Sequence, residues 1–194
     1  MRKRVAGMFA LLVLTTTAMY AQPFLKYTNV ASAGAGLGSS LGGFGYSSST
    51  PALSAYYERG IWEVGGPGVI SLGGYAGIKS YTYSNNYGIA AKSYTYNQKW
   101  SYTVVGVRSA YHYNGLKSEE FDVYGGLMMS YDILSYTYDD SNPTGVRYDN
   151  TGYGSVVGLS LYAGGRYFFA KNFAAFAEVG FGVSYLNLGL AYKF

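Results

Sequence analysis

The last eleven residues, "SYLNLGLAYKF" from Ser184 to Phe194, alternate without a break. Leu186, Leu188, Leu190, Tyr192 and Phe194 fall on one parity; Tyr185, Asn187, Gly189, Ala191 and Lys193 fall on the other. A period of two is the signature of a strand with one apolar face. The same alternation marks segments near 29–38, 51–62, 68–84, 94–113, 121–138, 154–169 and 173–182, so with 184–194 the pattern predicts eight strands. The connections come in two kinds. "EVGGPG" (63–68), "NGLKSEE" (114–120) and "AKN" (170–172) are short, whereas 39–50 and 139–153 are long and polar. Residues 85–93 sit at the tip of an extended hairpin, and only the turn near Gly182 and Val183 breaks the rule by being tight.

Parity sorts the side chains. One side of the strands carries Ile70, Leu72, Ile78, Val105, Val107, Val123, Leu127, Met129, Leu159, Leu161, Val179, Leu188 and Leu190. The other carries Glu58, Lys79, Arg108, Asp132, Arg166 and Glu178, with a row of small residues at Gly34, Gly36, Gly106, Gly126 and Gly164. In a soluble sandwich the apolar side would meet a core, and so greasy a final strand would be an aggregating edge. In a closed barrel the apolar side meets lipid and no edge exists. An outward Arg or Lys at mid-bilayer costs about 2–4 kcal/mol, so the sorting of charge to the inside is what a membrane demands. Arg59, outward by parity, lies near the turn side, where it can snorkel. Short turns on one side and long loops on the other predict an all-β, eight-stranded antiparallel up-and-down transmembrane β-barrel. With an even strand number both termini are expected on the periplasmic side.

The N-terminus fits that destination. Arg2, Lys3 and Arg4 precede an apolar stretch from Val5 to Leu14, followed by small residues at Thr16, Thr17, Ala18 and Ala21. This predicts a signal peptide over 1–21, cleaved after Ala21 (Ala18 is the second choice), and a barrel domain over 22–194. Its loss changes the charge picture. Of 14 basic residues three go, leaving 11 against 10 acidic ones. The chain is then nearly neutral, with no basic patch for nucleic acid. Only 12% of residues are charged, about half the usual share, while Tyr (24) and Gly (28) are abundant and Cys is absent.

The signal peptide, the eight alternating segments, the short turns and the terminal "LGLAYKF" resemble small outer-membrane β-barrels of the OmpA/OmpX type, the outer membrane protein beta-barrel domain. The "AQ" cleavage style and the Gly/Tyr richness look like Bacteroidota members. The resemblance implies an integral outer-membrane protein surrounded by lipid. It also implies that Leu190, Tyr192 and Phe194 act as an assembly signal for the barrel-assembly machinery. The peptidoglycan-binding role of two-domain members is not carried over.

Three motifs bear on function. "SYTY" recurs at 80–83, 93–96 and 135–138, toward the expected outer ends of three neighbouring strands. Folding about Gly88 and Ile89 sets Tyr83 opposite Tyr94 and Tyr81 opposite Tyr96, and folding about Lys117 sets Tyr96 opposite Tyr138. The expected product is a ladder of Tyr81, Tyr83, Tyr94, Tyr96, Tyr136 and Tyr138 on a sheet standing above the membrane. Asp132, Asp139, Asp140, Asp149 and Asn142 lack calcium-loop spacing, so no metal or other cofactor is expected. His112, the only histidine, lies at the periplasmic end, where Asp122 faces it as a local pair; an enzyme acting on outer-leaflet lipid would need it at the other end.

Eight strands enclose a space that side chains fill. Glu58, Lys79, Arg108, Asp132, Arg166 and Glu178 are expected to form a charge network there, with Arg166 and Glu178 in diagonal reach and Tyr56, Tyr75, Tyr102 and Tyr162 plugging the rest. The expected function is therefore non-enzymatic: loops rich in Tyr, Ser and Asn that meet a protein or glycan ligand, or a subunit contact with neighbouring outer-membrane proteins. A narrow channel or carrier for small apolar molecules is the alternative, and a lipid-modifying enzyme stands behind it.

Overall fold

The structure, a computed structural model, describes residues 24–42, 45–89, 92–142 and 154–194. The expected signal peptide 1–21, and Arg147 and Asp149 in the loop 139–153, lie outside the described residues. Among the described residues nine strands follow in order: β1 Asn29–Leu37, β2 Ser48–Ser49, β3 Ala52–Val64, β4 Gly68–Ile89, β5 Lys92–Tyr113, β6 Phe121–Asp140, β7 Val156–Phe168, β8 Phe173–Phe181 and β9 Leu186–Lys193. Among the described residues, no helix is long and apolar enough to cross a membrane. A 3-10 turn, Asn114–Leu116, joins β5 to β6.

Every pairing is antiparallel, each barrel strand lies beside its sequence neighbour, and β1 closes the sheet on β9 from Val30↔Lys193 to Leu37↔Leu186. The result is a closed eight-stranded barrel of β1 and β3–β9. Strand β2 is an extra clip on the outer part of β4, at Ser48↔Thr82 and Ser49↔Tyr81. A bulge between Gly60 and Trp62 bends β3 near its turn.

The wall is uneven. Strands β4 and β5 run 22 residues each and β6 runs 20, whereas β1 and β8 run 9 and β9 runs 8. The β4–β5 ladder continues from Gly68↔Tyr113 up to Ile89↔Lys92, while β6 pairs with β7 only as far as Asp132↔Val156. One side of the barrel therefore rises well beyond the other as a three-stranded sheet.

The expected parity is the observed one. Leu72, Ile78, Val105, Val107, Leu127, Met129, Leu159, Leu161, Val179, Leu188 and Leu190 are exposed on the outside, and the mid-strand charges are buried inside. The inward glycines let the walls close. A Cβ on Gly34 would come within 2.7 Å of the Phe176 ring. Gly182, in the tight β8–β9 turn, has φ +124, which glycine alone adopts cheaply, and this turn buries Val183 in the outer mouth of the lumen.

The expected register of the tall wall needs correction. Tyr83 faces Gln98 rather than Tyr94, and Tyr81 faces Trp100 rather than Tyr96. Tyr96 faces Asp140 rather than Tyr138. The first hairpin stays paired to Ile89↔Lys92, beyond the expected turn at Gly88 and Ile89, which moves each partner four places. The second turns through 114–116 with Lys117 at φ 48, which moves each partner two places. Both shifts are even, so every side chain keeps its face.

Candidate functional site: a projecting sheet above a filled lumen

The lower lumen is packed with opposite charges. Glu178 Oε1 accepts three bonds, from Arg108 Nη2 at 2.7 Å and from the Tyr56 and Tyr124 hydroxyls at 2.8 Å each. The Arg108 guanidinium lies between two rings, 3.8 Å from the centre of Tyr56 and 4.2 Å from that of Tyr162. Its Nε sits 3.9 Å from Glu58 Oε2, and Glu58 also bonds Arg166. Arg166 in turn donates to Asp122 at 2.9 Å. Each ion is desolvated, and each is answered by at least one opposite charge, which is the condition under which buried charges are tolerated.

Only four of the six expected network members are joined. Glu58, Arg108, Arg166 and Glu178 connect, together with Asp122, which sequence reasoning had assigned to His112 alone. Arg166 and Glu178, expected to pair, take different partners: Arg166 reaches Asp122, directly opposite it on β6, and Glu58 across the lumen, while Glu178 reaches Arg108 across the lumen. Lys79 and Asp132 stand apart. Lys79 donates to the Thr50 carbonyl at 3.0 Å, and Asp132 accepts from Ser130 at 2.8 Å. The register puts Lys79 six residues above Gly73, the partner of Arg108, or about 20 Å along the strand. Tyr102, Val104, Met128 and Val183 fill the layer between.

Below the network, His112 Nδ1 lies 2.9 Å from Asp122 Oδ1 and its Nε2 lies 3.1 Å from Ser71 Oγ. The partners run in the order of a nucleophilic triad. Yet Ser71 and His112 are fully buried, Asp122 also holds Arg166, and the Phe24 ring stacks on the imidazole at 3.6 Å. Asn114 Nδ2 donates to the Phe24 carbonyl at 2.9 Å and fixes that cover. The arrangement is a satisfied polar core under a stopper, with no path for a substrate among the described residues.

Outside, an apolar band ends on a level line. On the outward side of β4, β5 and β6 the cross-strand row Ile78–Thr103–Ile133 is the last to carry large aliphatic side chains. Above it come Ser80–Ser101–Ser135, Thr82–Lys99–Thr137 and Ser84–Asn97–Asp139. Within a row the side chains bond from strand to strand: the Ser80 and Ser101 hydroxyls are 3.1 Å apart, and in the next row up, Asn86–Thr95, Thr95 Oγ1 donates to Asn86 Oδ1 at 2.7 Å. At the opposite end a girdle of exposed aromatics, among them Trp62, Tyr111, Phe121, Tyr167, Phe173 and Tyr192, rings the turn side. From Val123 to Ile133 the strand runs about 33 Å, which at a tilt of about 40° spans about 25 Å, the height of an outer-membrane apolar band.

The inner side of the projecting sheet carries aromatic rings interleaved with amides. Its rows read Tyr81–Trp100–Tyr136, Tyr83–Gln98–Tyr138, Asn85–Tyr96–Asp140 and Tyr87–Tyr94. Three ring contacts run diagonally, Tyr83–Tyr96 at 6.0 Å, Tyr96–Tyr138 at 6.0 Å and Tyr87–Tyr96 at 6.1 Å, and one runs straight across, Tyr87–Tyr94 at 5.7 Å. Of the expected ladder, Tyr83, Tyr94, Tyr96 and Tyr138 are joined here. Tyr81 is buried lower down, donating to the Leu41 carbonyl at 2.8 Å, and Tyr136 packs on Trp100 at 5.5 Å. Tyr87 belongs to the cluster although it lies outside the "SYTY" repeats; its signal was its odd parity, shared with Tyr81 and Tyr83. Asp140 collects the tips. Its carboxylate accepts from the Asn142 amide at 2.9 Å, from the Tyr87 hydroxyl at 2.8 Å and from the Tyr138 hydroxyl at 3.2 Å. The Asn142 amide first, and then the two phenols, hold the Asp140 carboxyl below its ordinary range.

Leu190, Tyr192 and Phe194, the expected assembly signal, form an exposed outward row on the closing edge of the barrel, with the Tyr192 and Phe194 rings stacked at 5.9 Å. Among the described residues there is no group of three or more His, Cys, Asp or Glu side chains placed to hold a metal ion.

No family model matches the chain. No curated protein sequence matches it either. Among solved structures it is similar to the attachment invasion locus protein Ail of Yersinia pestis, crystallised in complex with the heparin analogue sucrose octasulfate, with 12% identity over 87% of this chain and 97% of that one and a TM-score of 0.44. The backbone structure of Ail in a phospholipid bilayer nanodisc matches with 12% identity, 87% and 99% coverage and a TM-score of 0.41. A further crystal structure of Ail gives 12%, 87% and 97% coverage, and 0.41. At these scores the likeness carries no weight for function, and the barrel rests on this chain's own strand pairing.

Proposed function

We propose that the chain is a non-enzymatic integral outer-membrane β-barrel that holds a three-stranded sheet above the membrane to engage a partner outside the cell. The observation that carries this is the level line at Ile78–Thr103–Ile133, above which the outward side of all three strands carries only hydroxyl, amide and charged rows. Lipid would not accept those rows, so the band of about 25 Å below them is the membrane and the sheet above them is in water. With the turn side in the periplasm, both termini lie there too, and Leu190, Tyr192 and Phe194 serve as the address read during barrel assembly. The 1–21 segment directs export. A channel has less support, because paired charges, tyrosines, Val183 and Phe24 occupy the lumen and leave beside Arg108, Tyr162 and Glu178 a cavity of only about 40 Å³.

Spin labels test the reading. Labels at Thr95 and Thr137 should be reached by a water-soluble relaxation agent and shielded from one dissolved in lipid. Labels at Val105 and Leu127 should behave oppositely. If Thr95 and Thr137 report lipid, the sheet does not project and the proposal falls.

A further inference from the structure

We infer that the inner side of the projecting sheet is a binding platform for an uncharged oligosaccharide; this rests on the reading that the sheet stands in water. A pyranose presents two kinds of surface, an apolar face of C–H groups and a rim of hydroxyls. Its recognition calls for flat aromatic faces alternating with planar groups that both donate and accept. The rows above Tyr81 supply that alternation. Tyr83, Tyr87, Tyr94 and Tyr96 each show part of a ring, and Asn85, Gln98 and Asp140 lie between them. An amide offers two donors and an acceptor, and a carboxylate offers two acceptors, which suits neighbouring hydroxyls on one sugar.

The platform is set before any ligand arrives. The Tyr87 and Tyr138 hydroxyls are tied to Asp140, and Asn85 Nδ2 reaches the Tyr96 hydroxyl at 3.4 Å. Rings held at their tips lose little freedom on binding, and such preorganisation favours affinity. Tyrosine also gives a large contact area with few rotatable bonds.

Charge decides between occupants. Above the Tyr81 row, Lys92 and Asp140 are the charged residues on this side of the sheet among the described residues. One of each sign matches neither a sulfated polyanion nor a basic peptide, and a neutral sugar is left as the fitting chemistry.

The test uses the full barrel in nanodiscs against three immobilised probes: a panel of neutral oligosaccharides, heparin and an oligo-lysine peptide. Binding by at least one neutral oligosaccharide is expected, with heparin and oligo-lysine silent. Tyr96→Ala should weaken that binding at least tenfold. Gln98→Ala, which leaves every ring in place, should weaken it several-fold and so guards against simple loss of the sheet in Tyr96→Ala. Binding confined to heparin or to oligo-lysine overturns the inference, as does neutral-sugar binding that survives both substitutions. A silent neutral panel overturns it as well, and the spin labels then separate the two failures. Water at Thr95 and Thr137 with no sugar bound removes the platform but keeps the projecting sheet, whereas lipid at those positions removes both.

Discussion

A single row of inward residues on β5 passes through two worlds. Its lower part, His112, Ala110, Arg108 and Val104, looks into a closed lumen; its upper part, Gln98, Tyr96 and Tyr94, looks across an open sheet. Below, a charge always has a wall facing it. Arg108 on β5 finds Glu178 on β8, and Arg166 on β7 finds Glu58 on β3, so ions can be buried and answered. Above, three strands have no opposite wall among the described residues, and an ion there would have only water or its lateral neighbours. The residues change accordingly, from charges that bond across a space to rings that stack sideways along a surface. Parity chooses the side of a strand, and the presence of an opposite wall chooses the chemistry.

Removing one charge from the lumen should have the largest effect. Arg166→Ala leaves Glu58 and Asp122 buried with a partner lost, a defect that typically costs about 3–5 kcal/mol. The urea midpoint of the refolded barrel should fall well below that of the parent. Tyr96→Ala removes lateral ring contacts, worth about 0.2–1 kcal/mol per cross-strand pair, and the long Asn85 bond to its exposed hydroxyl. Its midpoint should stay close to the parent's, while amide exchange in residues 92–98 accelerates. Equal midpoints for the two variants would erase the distinction between the regions.

The smallest effect concerns pH. The folded sheet holds the Asp140 carboxyl below its ordinary range, so its contribution is complete above the usual carboxylate pKa of about 3.9 and is lost as pH falls through the lowered value. The near-UV circular dichroism of the tyrosines should therefore be flat from pH 8 to pH 5 and change only in stronger acid. In Asp140→Asn that acid change should shrink. A transition near neutrality would show that another group governs the tip.

The parity of this barrel was legible in its sequence because each residue's side depends on what that residue alone meets, lipid or lumen. Leu127 and Arg108 declare their sides without reference to any partner. Register was not legible. It is set by where a hairpin turns, and the ladder running on to Ile89↔Lys92 moved every tyrosine partner without moving any tyrosine to another face. Partnership across the lumen was hidden for a different reason. Arg166 and Glu58 stand 108 residues apart and meet across the lumen, while Asp122 lies directly opposite Arg166 on β6 once the register is set, and these two hold the guanidinium that the short β7–β8 connection alone would give to Glu178. Asp122 was visible as a neighbour of His112 but not as a second acceptor for Arg166.

The uneven wall also has a meaning in time. The β4–β5 hairpin zips from its outermost rung, Ile89↔Lys92, and every rung adds to one already made. The seam between β1 and β9 joins opposite ends of the strand sequence, with the Asn29 and Phe194 backbones bonded to each other. Contacts so distant along the chain carry the largest loop-closure entropy and the highest contact order, and they reward it last. The tall wall is thus the local, early part of the molecule and the short wall its latch. Until β9 arrives, β1 remains an open edge, and the barrel is a curved ribbon waiting for its final strand.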